Sequence, residues 1–184
     1  GMATMKEIGY AIDLLRENGC REIKLLQCTT EYPAAYEHVN LRAMKTLADT
    51  FRVEIGLSDH TRGIEVPIAA VALGATVIEK HFTLDRNQIG PDHKASLEPD
   101  ELKAMVKSIM HIEAALGNAD KKPCADELEN LYAARKSIVA KRDIKKGETF
   151  TEDNIVPRHA GRGISPAKWN DVLGKVAIRD FIED

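Results

Sequence analysis

Hydrophobic positions along the first 117 residues follow two alternating rhythms. Helical spacing comes first: Ile8, Ile12 and Leu15 share one face of a segment that Thr4-Met5-Lys6-Glu7 opens as a capping box and Asn18-Gly19 closes. A short apolar run follows, Ile23 to Leu26, then a polar loop at Thr29 to Pro33 and a helical stretch from about Leu41 to Thr50. The cycle repeats with the run Val53 to Leu57, the loop Ser58 to Gly63, a helix ending at Gly74 and the run Thr76 to Ile78. Three apolar runs separated by one helix each have the spacing of βαβ units and predict a parallel sheet. The clearest helix spans Pro99 to Leu116. Pro99 suits a first turn, Leu102, Met105, Val106, Ile109, Ile112 and Leu116 form an apolar stripe, and Gly117 ends it, so this helix is expected to cover the last strand.

After Gly117 the pattern changes. Residues 118–134 carry paired lysines, Pro123 and several small or acidic residues, and read as a linker. Beyond Arg135 come short alternating pieces, Ser137 to Ala140 and later Lys175 to Ala177, punctuated by Lys146-Gly147 and Gly161-Arg162-Gly163. The expected organisation is therefore an α/β unit over 1–117, a linker over 118–134, and a small, mostly β module over 135–184 that stops at Phe181-Ile182-Glu183-Asp184 without a cap.

Composition narrows the function classes. Of the 184 residues, 43% are hydrophobic and 30% charged, which is globular rather than disordered. The net charge of −3, with no stretch concentrating Lys and Arg away from acids, points to small-molecule or protein partners and away from nucleic acid. The longest apolar runs are too short to span a bilayer, and no signal peptide is evident, so a cytoplasmic location is expected. Cys20, Cys28 and Cys124 are odd in number and unevenly spaced, which fits free thiols better than a disulfide framework.

In parallel α/β folds the loops after the carboxyl ends of strands carry the site. Here those loops read Cys28-Thr29-Thr30-Glu31-Tyr32-Pro33, Ser58-Asp59-His60-Thr61 and Lys80-His81-Phe82-Thr83. His60 and His81 lie 21 residues apart at the ends of consecutive strands. Packing accounts for either one alone. Together they point into one mouth, where two imidazoles hold a divalent ion and leave positions open for substrate oxygens and water. Asp59 is placed either to orient an imidazole or to cap the next helix. Glu79 and Lys80 alternate along their strand, so one faces the interior and the other the helical layer, with a structural ion pair accounting for at least one. In the loop Gln88 to Ser96, His93 and Lys94 read as solvated residues of a helix start, whereas Asp92 can accept two hydroxyl hydrogen bonds from a polyhydroxylated substrate. Cys28 reads as a small packing residue, and the absence of a glycine-rich phosphate loop disfavours ATP and NAD.

The strings CTTEYP, GLSDHT, GIEVPIAAVALGATVIEKHFTLD and GPDHKASLEPDEL, with SIVAKRDIKKGE and GRGISP further on, resemble the bacterial sialic acid synthases. That family includes N-acetylneuraminate synthases and the related legionaminate, pseudaminate and spore-coat polysaccharide synthases. The resemblance runs over almost the whole chain. It implies the C-terminal half of a (β/α)8 TIM barrel, about strands 6 to 8 with their helices, followed by part of an antifreeze-like SAF module. It further implies condensation of phosphoenolpyruvate with N-acetylmannosamine or a related amino sugar, with release of phosphate, by a homodimer using Mn²⁺, or else Mg²⁺ or Co²⁺. By position, His60 and His81 match the metal ligands, Thr30 and Ser58 match positions near phosphoenolpyruvate, and Tyr32 and Asp92 match amino-sugar contacts. Arg158 matches an arginine that the small module inserts into the partner subunit's site.

The chain departs from the family pattern at a few points. Thr30 stands where Asn is frequent, and His159-Ala160 follows Arg158 where Pro-Gly is usual, which leaves Arg162 as a competing arginine. Family members are nearly twice this length, so the catalytic glutamate and the phosphoenolpyruvate lysines of the first barrel half have no counterpart here, and the segment alone is expected to be inactive. Two rival readings remain at this point: a metal-dependent aldolase of another class, and a non-catalytic binding or assembly module.

Overall fold

The computed structural model describes residues 1–184 and divides into two units, Gly1–Asn118 and Ala119–Asp184. The first unit starts with α1 (Met5–Glu17), where the Thr4 hydroxyl accepts the Glu7 amide and the Glu7 carboxylate accepts the Thr4 backbone N–H at 2.7 Å, completing the capping box. Three parallel strands follow, β1 (Lys24–Cys28), β2 (Glu54–Asp59) and β3 (Val77–Lys80), hydrogen-bonded in that order. Helices α2 (Ala43–Phe51) and α3 (Glu65–Ala72) cross between them, and α4 (Pro99–Leu116) follows β3.

Strand alternation sorts the sheet residues by face. Leu25, Ile55, Leu57 and Ile78 meet Val39, Met44, Leu47, Val66 and Ala70 in the core beneath α2 and α3. Leu26, Cys28, Gly56, Ser58, Val77 and Glu79 therefore belong to the opposite face. Gly56 is obligatory there, because a Cβ would stand 2.5 Å from the Val77 carbonyl oxygen. The register sets Ser58 beside both Cys28 and Glu79, and Asp59 beside Lys80, so the polar ends of the strands lie level.

The third strand carries Glu79 and Lys80 beyond the apolar run, as their alternation implied, and Lys80 finds a buried partner in Asp59 within the ladder. Two expectations need correction. Helix α4 packs chiefly on α3 rather than over β3. Of its apolar stripe only Met105 is buried, while Val106 and Leu116 are about half exposed. Finally, the stretch read as a linker contains α5 (Ala125–Ala134), whose first turn is closed by the Glu127 carboxylate accepting the Cys124 backbone N–H.

The second unit continues with β4 (Ser137–Ala140) and β5 (Ile155–Arg158), paired antiparallel, and the short helix α6 (Trp169–Val172). Its core is Ala140, Ile144, Ile155 and Ala177, with Phe150, Trp169 and Phe181 packed against it. Single bridges join Ile144 to Phe181 and Thr149 to Val176, so most of this unit is held by isolated pairings rather than long strands. No helix of the chain is long and apolar enough to cross a membrane.

Candidate functional site

His60 is the first residue after β2 and is 5% exposed. Its Nδ1 lies 2.7 Å from the backbone carbonyl oxygen of Thr29. A carbonyl only accepts, so Nδ1 carries the proton and Nε2 keeps a free lone pair. The Cys28 sulfur sits 4.0 Å from the same Nδ1, behind the ring rather than at its free nitrogen. His81, directly after β3, is more open, with 32% of its side chain exposed, and its Nδ1 lies 3.8 Å from an Asp92 carboxylate oxygen. The two imidazoles meet edge to face with centroids 5.2 Å apart. Tyr32 packs against both, 4.2 Å from the His60 ring and 5.6 Å from that of His81.

The structure thus gathers Tyr32, His60, His81 and Asp92 at one end of the sheet. Ser58 lies in the same mouth, on the strand face opposite the core, but its hydroxyl donates to Glu79 at 2.6 Å. Thr30 is exposed just beyond β1, beside Gly1. Arg158 belongs to the second unit, where it ends β5 and donates to the backbone carbonyl of Asp184. Arg162, also in that unit, lies over the Tyr132 ring at 4.4 Å.

Several readings of neighbouring residues change. Asp59 neither orients an imidazole nor caps α3. It accepts from Lys80 at 2.6 Å and from the Thr61 amide and hydroxyl at 3.0 Å, while the α3 cap position is Ile64. Glu79 and Lys80 do face opposite sides, Glu79 with Ser58 and Lys80 with Asp59 on the helical side. His93 is not simply solvated: its Nδ1 meets the buried Thr83 hydroxyl at 2.8 Å. Together with Arg86, whose amide donates to Glu98, whose Nε donates to the Ser96 carbonyl and whose guanidinium pairs with Glu101, this bond ties down both ends of the loop carrying Asp92. Two participants were not foreseen. Thr29 acts through its backbone, which leaves no trace in a side-chain pattern; Glu79 is recognisable only once Ser58 is known to be its ladder neighbour.

The loop bearing Tyr32 carries a pH-sensitive clasp. His38 and Glu31 meet at 3.0 Å, and the contact raises the His38 pKa above its ordinary value and lowers that of Glu31. Both groups are charged between those two values. Their contribution is therefore lost as pH rises through the elevated His38 pKa and, separately, as pH falls through the depressed Glu31 pKa. An NMR titration of the His38 ring should show a midpoint above about 6.5, returning towards that value in Glu31→Gln; an unchanged midpoint in the variant would mean the clasp does not form in solution.

Comparison with known proteins places this geometry in a family. Residues 1–121 match the NeuB family model and residues 135–184 the SAF domain model. The chain is 52% identical to the N,N'-diacetyllegionaminic acid synthase of Campylobacter jejuni, covering 100% of this chain and 56% of that protein. It is 43% identical to the pseudaminic acid synthase of the same species, covering 98% of this chain and 52% of that protein. The crystal structure of the N-acetylneuraminic (sialic) acid synthetase from Leptospira borgpetersenii superposes with a TM-score of 0.64 at 39% identity, over 71% of this chain and 46% of that one. The chain spans about half the length of the curated relatives it matches. With the histidine pair at neighbouring strand ends and a matching model over most of its length, the chain belongs to the NeuB family.

Proposed function

We propose that this chain forms the metal-binding and amino-sugar-binding part of a nonulosonic acid synthase. The enzyme would join phosphoenolpyruvate to N-acetylmannosamine or a related amino sugar and release phosphate. In this reading the first unit contributes three strands of a (β/α)8 barrel, and the protein works as a homodimer in which Arg158 serves the partner's site. The observation that carries the proposal is the imidazole pair, its rings 5.2 Å apart and the proton of His60 fixed on Nδ1.

The donor set fits a divalent ion. Metal–nitrogen bonds of about 2.1 Å leave rings at this separation within reach of one ion. With two positions filled by imidazole nitrogens, others stay open for substrate oxygens and water. Two neutral nitrogens favour Mn²⁺ or Co²⁺ over Mg²⁺. When bound, the ion polarises the carbonyl of the open-chain sugar.

The chain's own residues bind and orient. Asp92 is held by its anchored loop where it can accept two sugar hydroxyls, and Tyr32 closes over the histidines and limits water access. For Ser58 to donate to an anionic substrate, its hydroxyl turns away from Glu79. In the reaction the enol carbon of phosphoenolpyruvate bonds to the sugar's aldehyde carbon, whose oxygen gains a proton. Water then adds at C2 and loses a proton, and the bond from C2 to the phosphate oxygen breaks as the new C2 hydroxyl gives its proton to the leaving phosphate and becomes the ketone.

The test is to graft residues 1–184 into the Campylobacter jejuni synthase in place of the matching segment. Phosphate release with formation of a nine-carbon acid, lost on chelation and restored by Mn²⁺, is the expected result. Product formed from pyruvate without phosphate release would replace the proposal with an aldolase. The isolated 184-residue chain should give no turnover in the same assay.

A further inference from the structure

The second unit contains a groove of about 580 Å³. Its charged lining residues are all cationic: Arg135 and Lys136 at the end of α5, and Arg162 in the turn after β5. In a chain of net charge −3, none of these three enters an ion pair, whereas Lys80, Arg86, Arg142 and Lys145 all do. Arg162 is held over the Tyr132 ring, and that ring and the Ser165 hydroxyl also line the groove.

The turn carrying Arg162 is fixed. The Ile138 amide donates to the Ile164 carbonyl at 2.8 Å, and the Ser137 hydroxyl donates to the Gly161 carbonyl at 3.3 Å. Gly163 packs so closely on Ser137 that a Cβ would lie 2.8 Å from the serine Cβ, so the turn sits flush against the start of β4. The three cations therefore line one groove whose Arg162 side is held to the start of β4 by backbone and side-chain bonds. Its volume is that of a small-ligand site.

We propose that this groove binds a small oxyanion, a carboxylate or phosphate, carried on a polyhydroxylated frame. The two guanidinium groups and the ammonium would take the anionic group, and the frame would lie along Tyr132 and Ser165. Arginine suits this role because its planar fork matches both oxyanions. The inference does not depend on the synthase reading, since it concerns binding by the second unit and is read without turnover.

The experiment is an amide NMR titration of the 184-residue chain with inorganic phosphate and, separately, with N-acetylneuraminate. Saturable shifts at Arg135, Lys136, Arg162 and Gly163 are expected, with Kd on the order of 1 mM. Arg162→Gln and Arg135→Gln, both at exposed positions, should each weaken binding several-fold while leaving the rest of the spectrum unchanged. Tyr132→Ala should weaken the acid sugar but not phosphate if the ring receives the frame. Shifts that fail to saturate, are equal in the arginine variants, or map to His60 and His81 instead would overturn the proposal.

Discussion

Replacing His81 with alanine in the grafted synthase is expected to lower kcat/KM by about a thousandfold, because a polarising ion contributes several kcal/mol to the barrier and each 1.36 kcal/mol is about tenfold. His60→Ala should do the same to activity, but the two variants differ in what else they disturb. His60 is buried and donates to the Thr29 carbonyl, which also accepts the Glu31 amide, so its loss removes one hydrogen bond without orphaning the acceptor, at a cost of about 0.5–1.5 kcal/mol of stability. His81 is partly open to solvent and has no short hydrogen bond on its ring, so His81→Ala should leave the fold nearly intact. Turnover measured beside Mn²⁺ affinity and urea unfolding separates the effects. If both variants keep wild-type turnover and Mn²⁺ affinity, the shared-ion site is wrong.

The second large effect is structural. Lys80 and Asp59 form an ion pair whose side chains are 2% and 1% exposed. Lys80 also donates to the Thr61 carbonyl, and Asp59 holds the Thr61 amide and hydroxyl, so the pair organises the chain on both sides of His60. Lys80→Met removes one charge and strands the other, which costs about 3–5 kcal/mol, whereas removing both charges together costs much less. A fall in the urea midpoint for Lys80→Met, recovered in large part by Asp59→Asn/Lys80→Met, is the expected pattern. A single variant as stable as the parent would show that water reaches the pair in solution.

What could be read from the sequence was whatever is written in local chemistry. The bounds of α4 follow from Pro99 and Gly117, and the start of α1 from Thr4 and Glu7, because caps are short-range features. The histidine pair was legible for a related reason: matching strand ends place both rings without any need to know what lies between them. Features that depend on a distant partner were not. The pairing of Glu79 with Ser58 and of Lys80 with Asp59 exists only because the ladder sets residues 21 positions apart side by side. Asp59 has the composition of a cap yet is used as a counter-ion. Helix α5 was hidden by the polar run that precedes it, although Cys124 and Glu127 close its first turn. His93 looked like a surface residue because its partner, Thr83, is ten positions away across the loop.

That His60 is steered by a main-chain oxygen has an evolutionary corollary. A side-chain orienting group is lost by a single codon change, but every amino acid brings the same carbonyl to position 29. Drift at that site can therefore alter the loop's polarity and packing while the tautomer of the neighbouring ring survives, so a mutational scan would score the position as tolerant despite its part in orienting His60.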